Sequence, residues 1–174
     1  SIDKDAVLRS GIMLPDSIRH LKGEDLKNAI PDKIYISLKD MRILTKVDML
    51  MLEMLANCNW ERPLYMAISV GEVSKLKFDH YFVQEGLAFR FTPFDYKKWG
   101  NVKGDNNYAI DVERLYENVM NRYKYGGLDT PGLYLDETTL RTCYYHRRLF
   151  AQLAKELIRQ GDNTRARKVL AYAE

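Results

Sequence analysis

With 174 residues, 46% of them apolar, and with twelve Tyr, six Phe and two Trp, the chain can build the core of one medium domain without metal or disulfide staples. Its 29% charged residues and mean hydropathy of −0.40 describe an ordinary water-facing surface. The longest nearly apolar run, Met49 to Ala56, is short and interrupted by Glu53, so no segment reads as a membrane span.

In chain order, residues 1–31 are weakly patterned and punctuated by Gly11, Pro15, Gly23 and Pro31; a first turn of helix is expected after Asp3, then a winding segment. Ile34, Ile36 and Leu38 alternate with Tyr35, Ser37 and Lys39, which predicts a strand. Thr45 is placed to cap a helix whose apolar positions Val47, Leu50, Met51, Met54 and Leu55 follow helical spacing, ending near Asn57–Asn59. Pro63 opens a second strand, Leu64 to Val70. Because both of its faces are apolar or small, it reads as a central strand, buried on both sides. Tyr81 to Glu85 predicts a short turn of helix, Leu87 to Phe91 a third strand closed by Pro93, and residues 95–109 a polar loop. The three strands are expected in one sheet, with the helix at 46–56 covering a face of it.

Two helical regions finish the chain. Val112, Leu115, Tyr116, Val119, Met120 and Tyr123 form an apolar stripe capped by Asp111 and stopped at Gly126-Gly127. Asp136 caps a long helix to Gln160, Gly161 breaks it, and a second helix runs from Asp162 to the end. Phe150, Leu153, Ala154 and Leu157 before Gly161, and Ala166, Leu170 and Ala173 after it, have the spacing of a tetratricopeptide-like helical hairpin, in which small residues let the helices approach closely. Such repeats stack, so further copies are expected beyond Glu174, and both ends read as cuts in a longer protein. The expected fold class is α+β: a mixed α/β body with a small sheet over residues 1–125, then the tetratricopeptide-like region over 126–174.

The net charge of +3 is uneven, since residues 138–174 hold eight Lys or Arg against three acids, a tail of +5 on a body of −2. A basic face of this kind either stays solvated or meets anionic headgroups or nucleic acid; without a binding motif beside it, no nucleic-acid partner is expected. Cys58 and Cys143 form no metal-ligand spacing; they read as small buried hydrophobes, with a bridge between them chemically permitted outside the cytoplasm. No cofactor or metal is expected.

Two clusters carry candidate chemistry. At Trp60-Glu61-Arg62-Pro63, an indole face stacks on a sugar ring while Glu61 or Arg62 hydrogen-bonds its hydroxyls, or else Trp60 simply plugs the helix-to-strand junction. Asp79, His80 and Tyr81, with Glu85 and Arg90, form either an acid/base and binding cluster, which requires a shared cleft, or a structural network. Neither contains a phosphate-binding glycine loop, a nucleophile elbow or a Ser/His/Asp arrangement, and no residue is assigned a catalytic role.

Three blocks resemble one family: residues 55–67 (Leu55, Ala56, then Asn57 to Ala67 through Trp60-Glu61-Arg62-Pro63), residues 81–90 (Tyr81 to Arg90), and Gly126-Gly127-Leu128-Asp129 with Tyr134-Leu135-Asp136-Glu137. Similar blocks, in this order and followed by tetratricopeptide-like helices, occur in large bacterial multi-spanning membrane proteins of unknown function. Their membrane part resembles protein O-mannosyltransferases. Cys58, Tyr123 and Tyr125 depart from the pattern. The resemblance implies a non-catalytic accessory domain on the extracytoplasmic, periplasmic side, with the parent's membrane part and an acceptor protein as partners. A carbohydrate- or peptide-binding module is the alternative, and an independent enzyme the third reading.

Overall fold

A computed structural model describes residues 2–39, 42–70, 78–100, 102, 108–128 and 130–173. The chain divides into two compact units, Ser1–Gln84 with Ala88–Ile110, and Glu85–Leu87 with Asp111–Glu174. This grouping puts the first helix of the C-terminal half in the second unit, whereas a division at 125 puts it in the first.

The first unit is mixed α and β. Asp3 caps α1 (Lys4–Arg9) by accepting from the Ala6 N–H at 3.0 Å, as the sequence predicts. A further helix, α2 (Gly23–Ala29), occupies the winding segment; it has no side-chain cap and no buried residue, which is why no pattern announces it. α3 (Lys46–Ala56) starts at Thr45 in a capping box: Thr45 Oγ1 accepts from the Asp48 N–H, and the Asp48 carboxylate accepts from the Thr45 N–H at 2.9 Å. Among the described residues the sheet holds four strands, β1 (Tyr65–Ala67), β2 (Phe82–Gln84), β3 (Ala88–Phe91) and β4 (Ala109–Ile110), in the order β1-β3-β2-β4. β3 pairs antiparallel with β1 (Met66 opposite Phe89) and with β2 (Val83 opposite Arg90); β4 joins β2 in parallel, Val83 opposite Ala109.

Several elements differ from what the sequence predicts. Residues 34–38 belong to no strand: Ile34 and Ile36 pack against the core while Tyr35 is exposed, so the alternation marks which side chains turn inward and not a ladder. The Leu64–Val70 segment is a strand only at Tyr65–Ala67, turns into a 3-10 helix at Ile68–Val70, and lies at the sheet edge instead of its centre, with Tyr65 and Ala67 exposed. An edge suits the preceding Pro63. The centre is taken by β3 and by β2, where a helical turn was expected; that turn is a single 3-10 turn at Asp79–Tyr81, followed by three fully buried strand residues too few to show a period. The polar loop contributes β4 at its end, and Phe94 and Tyr96 before it are wholly buried.

α3 also presents a different face from the one expected. Of the expected stripe Met51 and Leu55 pack on the core, joined by Leu52, whereas Val47, Leu50 and Met54 are exposed.

In the second unit Asp111 caps α4 (Val112–Glu117), which continues through one π-helical turn, Asn118–Arg122, closed by the Tyr123 N–H donating to the Asn118 carbonyl at 2.8 Å. Asp136 accepts from the Thr138 and Thr139 N–H groups and starts α5 (Glu137–Arg159). Gly161, at φ +83, ends it in a left-handed turn, and α6 (Asn163–Ala173) folds back on α5. Leu149, Leu153, Ala154, Leu157, Ala166 and Val169 are buried; Val169 takes the place expected for Leu170, which is half exposed. Both cysteines are free thiols.

On α5 the ring of His146 meets Tyr125 edge-on at 5.4 Å, and its Nδ1 is buried without a hydrogen-bond partner among the described residues. Burial holds its pKa below the ordinary 6.5. The unfolded chain therefore binds the proton more readily, so stability should be flat above that value and fall as pH drops below it, levelling off under the depressed folded value. Urea titrations from pH 7.5 down to about 5 should show this loss relative to His146→Phe, which keeps the ring and removes the proton site; parallel pH profiles for the two proteins would refute it.

Candidate functional site

The helix-to-strand junction after α3 is built around Trp60. Asn57 caps the helix, and Trp60 follows at φ +65, among the described residues the one non-glycine with positive φ. That conformation costs an ordinary residue about 1–2 kcal/mol. It is held because the indole is 5% exposed and stacked on Phe91, with ring centroids 5.5 Å apart and planes 17° apart. Phe91 in turn contacts Phe82 at 5.5 Å and Tyr81 at 6.4 Å. The indole lies at the wall of an open groove of about 460 Å³, lined by Ile34, Ile36, Leu52, Leu55, Trp60 and Phe91, with Cys58, and with Asp32 and Lys33 among its polar residues. Asp32 is held by Lys4 at 2.8 Å, which lowers its carboxyl pKa.

The other candidate residues are dispersed. Glu61 and Arg62 are exposed and do not line the groove. Asp79 is exposed on the 3-10 turn; His80 Nε2 stands 3.8 Å from the Asp95 carboxylate. Tyr81 is buried, its hydroxyl donating to the Tyr35 carbonyl at 3.2 Å, and burial pushes its pKa up. The Arg90 guanidinium, 3% exposed, donates to the Ser10 carbonyl at 2.6 Å and to that of Gly11, so it straps β3 to the end of α1. Glu85 belongs to the second unit, where Arg114 pairs with it at 2.9 Å.

Of the eight residues, then, the structure gathers Trp60 and Tyr81 around Phe91 and puts Trp60 alone on the groove. Sequence reading missed Ile34, Ile36, Leu52 and Leu55 as lining residues. The alternation at 34–36 pointed to two of them, but nothing local tells which stripe of α3 turns inward. Among the described residues no group of three or more His, Cys, Asp or Glu is placed to hold a metal ion, and no helix is long and apolar enough to cross a membrane.

An α+β module with a largely aliphatic and aromatic groove is a fold on which binding is the ordinary use of such a concavity. The family model described as TMEM260-associated domain 2 matches residues 1–113, and the chain belongs to that family, as an accessory domain of a TMEM260-like membrane protein. The matched span takes in the whole sheet and the groove. No curated protein and no solved structure matches the chain.

Proposed function

We propose that the chain is a non-catalytic, extracytoplasmic domain that recognises an acceptor or partner polypeptide for a membrane protein resembling protein O-mannosyltransferases. The observation that carries this reading is the groove at Trp60. Its walls are mainly aliphatic and aromatic, with Asp32 and Lys33 beside them, which suits apolar side chains of a polypeptide. Sugar recognition is the weaker reading, because one indole face is covered by Phe91 and the hydrogen-bonding pair Glu61 and Arg62 stands outside the groove. The α5–α6 hairpin, with Ala154 and Ala166 buried and Gly161 at the turn, supports a tetratricopeptide-like end that stacks on further repeats in the parent and adds a concave protein-binding surface.

The test varies the ligand, so that the domain itself stays intact. Peptides from a random library that bind the full chain should each depend on one large apolar residue. Replacing it by Ser should weaken binding roughly ten- to a hundredfold, the loss of about 1.5–3 kcal/mol of side-chain burial. Ile34→Ser, at the half-buried groove wall, should weaken the same peptides. Binding on a glycan array with no selected peptides would overturn the reading.

A further inference from the structure

α3 has two apolar faces, and the groove uses one of them. Asp48, 1% exposed and locked in the capping box with Thr45, together with Leu52 and Leu55 on the core, fixes the rotation of the helix. A second stripe is left in solvent: Val47, Leu50 and Met54 recur at intervals of three and four residues, and Ile43, in the non-helical segment just before the Thr45 cap, is exposed as well. Ile43 is 79%, Leu50 62% and Met54 50% exposed, and Met49 beside them 60%. Three aliphatic and thioether side chains held outward by a fixed helix, with Ile43 exposed just before it, form a patch, unlike single apolar residues scattered on a surface.

The surrounding charge says what covers it. Lys39, Arg42 and Lys46 are exposed at the N-terminal end of the stripe. Asp40 lies outside the described residues; counting it, residues 39–46 still carry three cations against one acid. On α3 itself Asp48 is spent on the cap, which leaves Glu53 as the acidic neighbour, toward the other end. The stripe offers no polar atom of its own, so nothing in it reads the hydrogen-bonding pattern of a particular protein surface. Apolar side chains beside a cluster of Lys and Arg match acyl chains beneath anionic headgroups. The chain belongs to a membrane protein, so a bilayer is the surface at hand.

We propose that the outward face of α3, Val47, Leu50 and Met54, together with Ile43, Lys39 and Arg42 of the segment before it and Lys46 at its start, docks on the interface of a bilayer containing anionic lipids. This is separate from polypeptide recognition, which uses the inward face of the same helix at the groove. Docking holds the groove at a fixed height and orientation over the membrane.

Vesicle flotation of the full chain tests it, with vesicles of phosphatidylcholine alone and of equal parts phosphatidylcholine and phosphatidylserine. The chain should float with the mixed vesicles and partition at least about tenfold less onto the neutral ones, or onto the mixed ones at high salt. Leu50→Ser with Met54→Ser, and separately Arg42→Glu with Lys46→Glu, should each reduce partitioning by about tenfold or more. Their melting temperatures should match the unaltered chain, because all four side chains are exposed. Three results would overturn the proposal: no flotation with either vesicle, flotation indifferent to the serine pair, or a concentration-dependent dimer in light scattering that the serine pair abolishes, which would assign the face to a second copy. The peptide measurement reads the groove alone, so either proposal can fail without the other.

Discussion

Gly86→Ala should destabilise the second unit by about 2–4 kcal/mol, read as a lower urea midpoint at unchanged slope. Gly86 sits in the short connection between β2 and β3, where a Cβ would come within 2.1 Å of the Tyr123 hydroxyl oxygen. That oxygen cannot simply yield, since it accepts the Leu87 N–H at 3.0 Å and hangs from a rigid ring. An added methyl must therefore push Tyr123 out, break the hydrogen bond, or bend the connection. Tyr123→Phe alone should cost about 1 kcal/mol through the orphaned Leu87 amide. In that background the first obstacle is gone and the next atom, Cζ, lies at 3.1 Å, so Gly86→Ala should then cost markedly less than in the native chain. Strictly additive effects would show that Tyr123 is not the obstacle.

Ending the chain after Gly161 should unfold the helical part of the second unit. The α6 residues Ala166 and Val169 are buried, and their removal uncovers Leu153 and Leu157, both 0% exposed, together with Phe150. Each such side chain contributes about 1.5–3 kcal/mol when fully buried, so three together approach the whole stability of an ordinary domain, about 5–15 kcal/mol. The truncated chain should lose helical circular dichroism beyond the share of the eleven residues of α6, because α5 loses its partner too. Leu170→Ala supplies the contrast: half exposed, it should shift stability by no more than about 0.5 kcal/mol. A truncated chain melting at the original temperature would mean that the hairpin does not hold α5.

The helix starts at Asp3, Thr45, Asp111 and Asp136, and the break at Gly161, are legible in the sequence because the atoms that make them lie within a few residues of one another. Each capping side chain accepts from an amide two or three positions on. The fold class follows from these signals and from the alternation around 65–67 and 88–91. The candidate groove was legible only through Trp60, whose size demands burial wherever the chain puts it, and through the alternation that turns Ile34 and Ile36 inward.

What tertiary structure decided involves partners far apart in the chain. Whether an alternating segment becomes a strand depends on a ladder partner, and 34–38 has the alternation without joining the sheet, while Phe82–Gln84 joins it without a visible period. Arg90, read either as part of a binding cluster or as part of a structural network, is drawn inside by carbonyls 79 and 80 residues earlier, contacts that no window of sequence contains. The choice between the two apolar stripes of α3 was settled the same way. Propensity and capping fix that residues 46–56 are helical, but both stripes satisfy the helical period, and the core at Trp60 and Phe91 selected the one carrying Leu52 and Leu55. Local hydrogen bonding determines where elements begin and end; burial against distant residues determines which of their faces is left for a partner.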